Sequence, residues 1–376
     1  MAKEDKITPS TGRFMRTITM ALRSALVPFL AVITAVVVGG FVIAWSGGDP
    51  FKAFSGLLEG SFGSAKALSE TAVWATPYIL ASLGVAVGFK AGLFNIGVEG
   101  QLALGAVVAA WIGYKLPTLV GGTIPAYIHL PLTILGGMLA GGLWAAIPGW
   151  LKARFGSHEV INTIMMNYIA LNLTSFLLNG PMKDPNPLNV VARTPQIADT
   201  ARIGHIFGPT LRVHWGFVIA LVMAFVIWWL IWKTTLGYEI RTAGTNGQAA
   251  KYAGINVQRT IITSMVISGA LAGLAGAIEV TGLNYRHELG FSSGYGFDAI
   301  AISLLGNNHP VGIILGSILF GAMRNGATRM QYLTQIPTDV ISVIQGLILF
   351  FVSANAIIRF IFRIRKKDES ATHSAG

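Results

Sequence analysis

The chain has 376 residues, of which 53% are hydrophobic and 11% charged, with a mean hydropathy of +0.62. Soluble domains carry about a quarter charged residues, so an ordinary soluble protein, a disordered chain and a collagen-like repeat all fit poorly, and the length suits one polytopic membrane domain. The net charge of +11 does not indicate a nucleic-acid partner, because much of it gathers at the two ends and in short connections, as it does in cytoplasmic loops; the absence of cysteine excludes disulfides, thiolate metal sites and thiol catalysis.

A membrane-crossing helix needs roughly 20 predominantly apolar residues. The first uncharged run, 24–48, follows Arg13, Arg16 and Arg23. It is too long for a signal-peptide core and lacks a clean cleavage site, so it predicts an uncleaved first span behind a basic cytoplasmic tail at 1–23. Further uncharged runs lie at 71–89, 100–114, 130–151, 160–182, 213–232, 260–278, 299–323 and 340–358. Gly306-Asn-Asn-His-Pro310 divides the run at 299–323 into a short span and a full one. The pattern predicts an all-α polytopic membrane protein with about ten transmembrane helices. Its membrane domain covers 24–358, with an external loop at 183–212, a cytoplasmic loop at 233–259 and a basic cytoplasmic tail at 359–376.

Placing both termini in the cytoplasm puts 17 of the 27 Lys and Arg on that side. The external loop weakens the bias through Lys183, Arg193, Arg202 and Arg212, but loops of that length count less in setting orientation.

An internal repeat recurs at an offset of 180 residues. Ile134, Leu135, Gly136, Leu139 and Gly141 match Ile314, Leu315, Gly316, Leu319 and Gly321; Glu159, Val160, Ile161 and Ile164 match Asp339, Val340, Ile341 and Ile344. An odd number of spans separates the copies, so they are expected to run in opposite senses, as in transporters built from inverted repeats. Coincidence among Ile, Leu and Gly is the competing reading, and the acidic match in register argues against it. Gly84-x-x-x-Gly88, Gly137-x-x-x-Gly141, Gly269-x-x-x-Gly273 and Gly312-x-x-x-Gly316 offer small faces for close helix packing.

Polar residues inside apolar spans are costly and direct attention to function. The densest group is Asn95, Glu99 and Gln101, beside a Gly-rich break that exposes backbone groups tolerated at membrane depth only within protein or beside a cavity. Asn162, Asn167 and Asn172 step by five and wind around their helix, and Glu279, Asn284 and Asp298 follow later. From these, Asn95, Glu99, Gln101, Asn162, Asn167 and Asp298 are the candidates to line or shape a solute path. A plainer reading makes Glu99 and Asp298 helix N-terminal carboxylates, favoured there by the dipole.

Within 237–255, Thr245 or Asn246 can cap a short helix carrying Ala249, Ala250 and Ala253, and Gly254 can end it. So short a helix needs a partner surface; an ordinary connecting loop is the alternative. Gly290-Phe-Ser-Ser-Gly294 fits G-x-S-x-G but lacks a strand-to-helix setting. Gly294-Tyr-Gly296 lacks the context of a potassium filter, and His287-Glu288 has no second His for zinc. The chain contains no G-x-x-x-x-G-K-[ST] phosphate loop.

Three segments together resemble the permease subunits of bacterial ABC importers, in the branch of ribose, branched-chain amino-acid and nucleoside permeases. They are Phe94-Asn-Ile-Gly-Val-Glu-Gly-Gln101, the stretch 237–255, and Gly296-Phe-Asp-Ala-Ile-Ala-Ile-Ser-Leu-Leu-Gly-Asn-Asn-His-Pro310. The first and last, with Glu159-Val-Ile-Asn-Thr-Ile-Met-Met-Asn167, look closest to the nucleoside branch. The resemblance implies a transport subunit in a bacterial inner membrane and not an enzyme. It implies an ABC ATPase partner that binds the ATP, a second permease (a paralogue or another copy), and an extracellular substrate-binding lipoprotein. No metal and no cofactor of the chain's own is expected. It assigns Glu239, Arg241, Gly244, Asn246, Ala249, Ala250 and Gly254 to the segment that docks on the ATPase. A permease for ribose or another simple sugar is the nearer alternative. An ion-coupled transporter using Glu99, Glu279 or Asp298 is the more distant one, and a hydrolase using Ser292 has no supporting motif context.

Overall fold

The computed structural model describes residues 11–186, 191–208, 210–292 and 294–353. The expected C-terminal tail, the first ten residues of the N-terminal tail and residues 187–190 and 209 of the 183–212 loop lie outside them.

The chain opens with α1 (Thr11–Trp45) and a short α2 (Pro50–Phe62). The side chain of Asp49 accepts from Phe51 N and Lys52 N, and Pro50 takes the first helical position, where a missing N–H does no harm. Ser64 caps α3 (Ala65–Lys90) through Ala67 N at 3.0 Å. Then come α4 (Val98–Val120), α5 (Ala126–Phe155), α6 (Glu159–Asn179) and α7 (Trp215–Lys233). Two short helices, α8 (Thr235–Thr245) and α9 (Gly247–Tyr252), precede α10 (Val257–Glu279), whose end widens into a π-turn over Val280–Asn284. The chain closes with α11 (Tyr295–Leu305), α12 (Pro310–Thr334) and α13 (Asp339–Ser353).

Eight helices among the described residues are long and apolar enough to cross a membrane, and α11 and α13 are shorter apolar helices. These account for the ten predicted runs, and the fold is an all-α polytopic membrane protein. Two details differ from the sequence reading. The amphipathic α2 was not anticipated, and α12 continues past Met323 to Thr334 despite Arg324 and Arg329. Both charges have partners: Arg329 bonds Glu59 of α2 at 2.8 Å, and Arg324 meets Asp298 of α11 at 3.5 Å. The Arg329–Glu59 pair is exposed, while Arg324 stays within the bundle because it is paired.

The small-residue faces do pack. Gly137 and Gly141 of α5 lie on Gly273 and Gly269 of α10, so closely that a Cβ at Gly141 would stand 2.3 Å from Gly269 O. α5 runs antiparallel to α10, with Gly137 at Ala277 and Gly149 at Met265. α12 runs antiparallel to α3: Asn325 bonds Ala67 O and Phe320 packs on Tyr78. Because α3 ends beside the α8–α9 segment that leads into α10, α12 runs with α10 and against α5. The repeat pair α5–α6 and α12–α13 is therefore inverted, and Glu159 and Asp339 each open the second helix of their copy.

At the bundle end opposite α8 and α9, residues 194–203 are laid over the π-turn and the residues just after it. Ile203 N donates to Thr281 O at 2.8 Å and Ile197 N to Tyr285 O at 2.9 Å. The widened turn frees these carbonyls, and the loop satisfies them. Two buried histidines sit here. The His214 ring caps α7 by accepting from Gly216 N at 3.1 Å; burial first, then His205 and Arg212, lowers its pKa to about 4. Burial alone lowers His287 to about 3. An unfolded His titrates near 6.5, so the unfolded segment takes up protons first as pH falls. Stability of this end is then full above about pH 6.5 and declines through pH 4 toward about pH 3. Hydrogen exchange of residues 194–206 should accelerate over that window, and a His214→Asn variant, which caps without titrating, should remove the His214 share of the response and leave that of His287.

Candidate functional site

The site begins where α3 stops. Beyond Lys90 the chain reverses through Gly92, at a φ of +70°, and Leu93 N returns to Gly88 O at 2.9 Å. From Leu93 to Gly97 the backbone is not helical, and Gly97 opens α4 without a side-chain cap. Side-chain amides supply what the missing turns do not. Asn95 Oδ1 accepts from Gly97 N at 3.0 Å; Asn167 of α6 accepts from Gly100 N and donates to Ile96 O, both at 2.8 Å. Thr163 accepts from Ile96 N at 3.3 Å. Asn95 Nδ2 also donates to Gln101 Oε1 at 3.0 Å and to Ser268 Oγ of α10 at 2.9 Å. The break is thus closed by protein groups from α4, α6 and α10, which is how broken backbone survives at membrane depth.

Glu99 lies in the first turn of α4 but reaches the start of α11. Its carboxylate accepts from Gly296 N at 2.6 Å and from the Ser292 hydroxyl. Two helix N-termini therefore converge on one carboxylate, an arrangement both dipoles favour. The approach needs glycine, because a Cβ on Gly296 would stand 2.3 Å from Glu99 N.

Asp298, one turn along α11, accepts from the Tyr78 hydroxyl of α3 at 2.8 Å. Arg324 Nε donates to the same hydroxyl at 3.1 Å, while its Nη2 lies 3.5 Å from Asp298. Around this triad the rings of Trp74, Tyr78, Tyr295 and Phe320 stack edge-on, at centroid distances of 5.1 to 6.2 Å. Glu279 is buried at the end of α10 beside the Tyr295 side chain. The half-length α11 is thus fastened at its first turn by α3, α4 and α12.

Of the six path candidates, the structure joins Asn95, Gln101 and Asn167 in one cluster and Glu99 and Asp298 at the α11 start. Asn162 joins neither: it is half-buried and donates to Ser157 Oγ at 2.6 Å. Asn172 and Asn284 are exposed. Sequence reasoning missed Tyr78, Thr163, Ser268 and Arg324. Arg324 gave no usable signal, since Asn325, Thr328 and Arg329 follow it and the stretch reads as polar.

At the other extreme of the break stands the α8–α9 hairpin. Thr234 caps α8, and Asn246 caps α9 by accepting from Gln248 N and Ala249 N, both at 3.0 Å. Gly254 takes a φ of +81° just after α9. Gln248, Ala249, Tyr252 and Gly254 are exposed, whereas Ala250 is fully buried against the chain itself. Glu239 and Arg241 are half-buried on α8, and Arg241 Nε returns to Gly237 O. Gly244 packs directly on the backbone of Lys90, Ala91 and Gly92.

The model of the family described as "Branched-chain amino acid transport system / permease component" matches residues 67–353. The chain belongs to this permease family. The match takes in the break, the α8–α9 hairpin and α11, and leaves α1 and α2 outside. The permease is 42% identical over 352 residues to the guanosine ABC transporter permease protein NupP of Bacillus subtilis, covering 92% of this chain and 98% of that one. It is 34% identical to the nucleoside ABC transporter permease protein NupB of Lactococcus lactis, covering 94% and 98%. The glucose ABC transporter permease protein TsgB13 of Haloferax volcanii is 33% identical, with 86% of each chain covered. No solved structure matches this permease.

Proposed function

We propose that this permease carries a nucleoside into a bacterial cell as the membrane subunit of an ABC importer, driven by ATP bound and hydrolysed on a partner subunit. The observation that carries the reading is the 42% identity to a guanosine permease along 98% of that protein's length. The α8–α9 hairpin then faces the cytoplasm and docks on the ATPase, with Gln248, Ala249, Tyr252 and Gly254 as its outer face. Both termini lie on the same side. A second permease completes the path, and a binding lipoprotein delivers the solute to the opposite end.

A nucleoside leaving water needs replacement hydrogen bonds. In this reading Asn95, Gln101 and Asn167 shape the path by holding the break, and Glu99 and Asp298 shape it by fixing α11. The engagement of both carboxylates by protein donors favours this role over ion coupling. A glucose relative of similar coverage supports a sugar as the second reading. Uptake into proteoliposomes holding the full transporter separates the two. Labelled guanosine should accumulate with ATP and be displaced by other nucleosides; displacement by glucose or ribose instead would transfer the assignment to the sugar.

Two further outcomes are expected. The purified permease alone should release no phosphate from ATP, since it lacks a phosphate-cradling loop; activity persisting after every partner is removed would contradict this. Ala249→Trp should weaken co-purification with the ATPase, because added volume on a docking face has nowhere to go. Ala250→Trp should instead lower the yield of folded permease, because Ala250 is packed inside its own chain.

A further inference from the structure

At the end of the bundle away from α8 and α9, a cavity of about 190 Å³ opens between α3, α12 and the first turn of α13. Trp74, Arg324, Asp339, Thr328, Thr338 and Ser342 are among the residues that line it. Two apolar grooves among the described residues differ in kind. The groove of about 620 Å³ between α1 and α12 is lined chiefly by groups such as Phe29, Val32, Leu315 and Leu319, and that beside α7 by Leu221, Phe225 and Trp228. Such walls suit acyl chains, whereas the polar cavity suits a solute with an aromatic face and a hydrogen-bonding edge.

Arg324 lies fifteen residues along α12 from His309, roughly 20 Å from the α8–α9 end at the helical rise. It lines the cavity and is also the link to Asp298 on α11. Its charge already faces the Asp298 carboxylate, and Asp339 adds a second carboxylate at the rim. The cavity therefore offers donors and acceptors without a net positive field, and a phosphate entering it would meet uncompensated negative charge.

We propose that this cavity is a recognition subsite at the mouth of the path: it takes the base of an uncharged nucleoside and turns away the phosphorylated form. Trp74 covers the ring face, and Asp339 with the hydroxyls bonds the ring edge. The volume accommodates a base and leaves the sugar outside, which fits a station on a path and not a site of tight retention. The ligand class rests on the nucleoside reading given above.

The test uses the complete transporter in proteoliposomes, with 8-azidoguanosine as the probe. Light-driven labelling should map to peptides bearing Trp74 or residues 324–342, and guanosine should protect them while guanosine monophosphate does not. Asp339→Asn should let the monophosphate protect as well. Trp74→Ala should raise the guanosine concentration needed for protection about tenfold, the scale of one lost base–aromatic stack. If guanosine is imported normally but the label falls elsewhere, or guanosine gives no protection, the subsite is wrong and the nucleoside reading stands. If the wild-type transporter imports glucose and not guanosine, the nucleoside reading fails first. Should Trp74→Ala fail to assemble, the Asp339→Asn result alone decides, since Asp339 is exposed and outside the packed interior.

Discussion

Replacing Glu99 with alanine is expected to abolish uptake and to lower the stability of the permease by about 3 kcal/mol or more, the scale of two hydrogen bonds to a charged group. The reasoning is local. Gly296 N and the Ser292 hydroxyl both donate to this carboxylate. Alanine leaves both donors buried without an acceptor and removes the negative charge on which two helix N-termini converge. α11 would then keep the Asp298 contacts to Tyr78 and Arg324 and the packing of Tyr295 on Trp74 and Tyr78. Glu99→Gln keeps the shape and one acceptor oxygen, so it should fold and assemble while transporting more slowly. Ser292→Ala removes one donor with the acceptor left in place and should have the smallest effect of the three. Thermal unfolding in detergent, read beside uptake, checks the order. A Glu99→Ala variant with wild-type stability and wild-type uptake would mean that the carboxylate fastens nothing.

Much of this fold was legible because a membrane imposes a coarse rule. Uncharged runs marked the ten apolar helices, eight of spanning length and two shorter, and the match of Glu159 to Asp339 pointed to the inverted repeat. The limits are equally physical. Arg324 ended the run at 299–323 on paper because charge alone cannot reveal a partner 26 residues earlier in the chain. That partner, Asp298, comes within 3.5 Å only once α11 folds back beside α12. The site was legible in composition more than in geometry. Asn95, Glu99 and Gln101 stood out as costly polar residues, yet nothing in their spacing says that Glu99 serves the helix starting at Tyr295. Asn162 and Asn167 looked equivalent, and five residues of helical rotation separate one that closes the break from one that bonds only Ser157. The docking stretch read from the sequence takes in Ala249 and Ala250 alike, whereas the structure exposes Ala249 and buries Ala250; a six-residue helix is too short for periodicity to set its inward side.

The hairpin and the break meet at a point that should decide whether ATP hydrolysis drives transport. Gly244, near the end of α8, lies so close to the end of α3 that a Cβ there would stand 2.2 Å from Lys90 O and 2.7 Å from Ala91 C and Gly92 N. These are backbone atoms, so no side chain can swing aside, and the added group must push α8 away from the break. Gly92 faces the contact from the other side with a φ of +70°, and its own Cβ would stand 2.9 Å from Gly244 O. If the ATPase docks on the hairpin as proposed, a displacement of α8 would be passed directly to the reversal that precedes Asn95. Gly244→Val should cost about 1–3 kcal/mol as overpacking. Its larger effect should be on coupling: ATP hydrolysis in the assembled transporter continues, while uptake per ATP falls at least tenfold. Gly247→Ala serves as the control, since the nearest atom to a Cβ there is Val257 Cγ1 at 3.9 Å, and both activities should remain as in the wild type. If Gly244→Val assembles and keeps the wild-type ratio of uptake to hydrolysis, force reaches the break by another route. If Gly247→Ala uncouples as strongly, the whole hairpin and not the Gly92–Gly244 contact carries the signal.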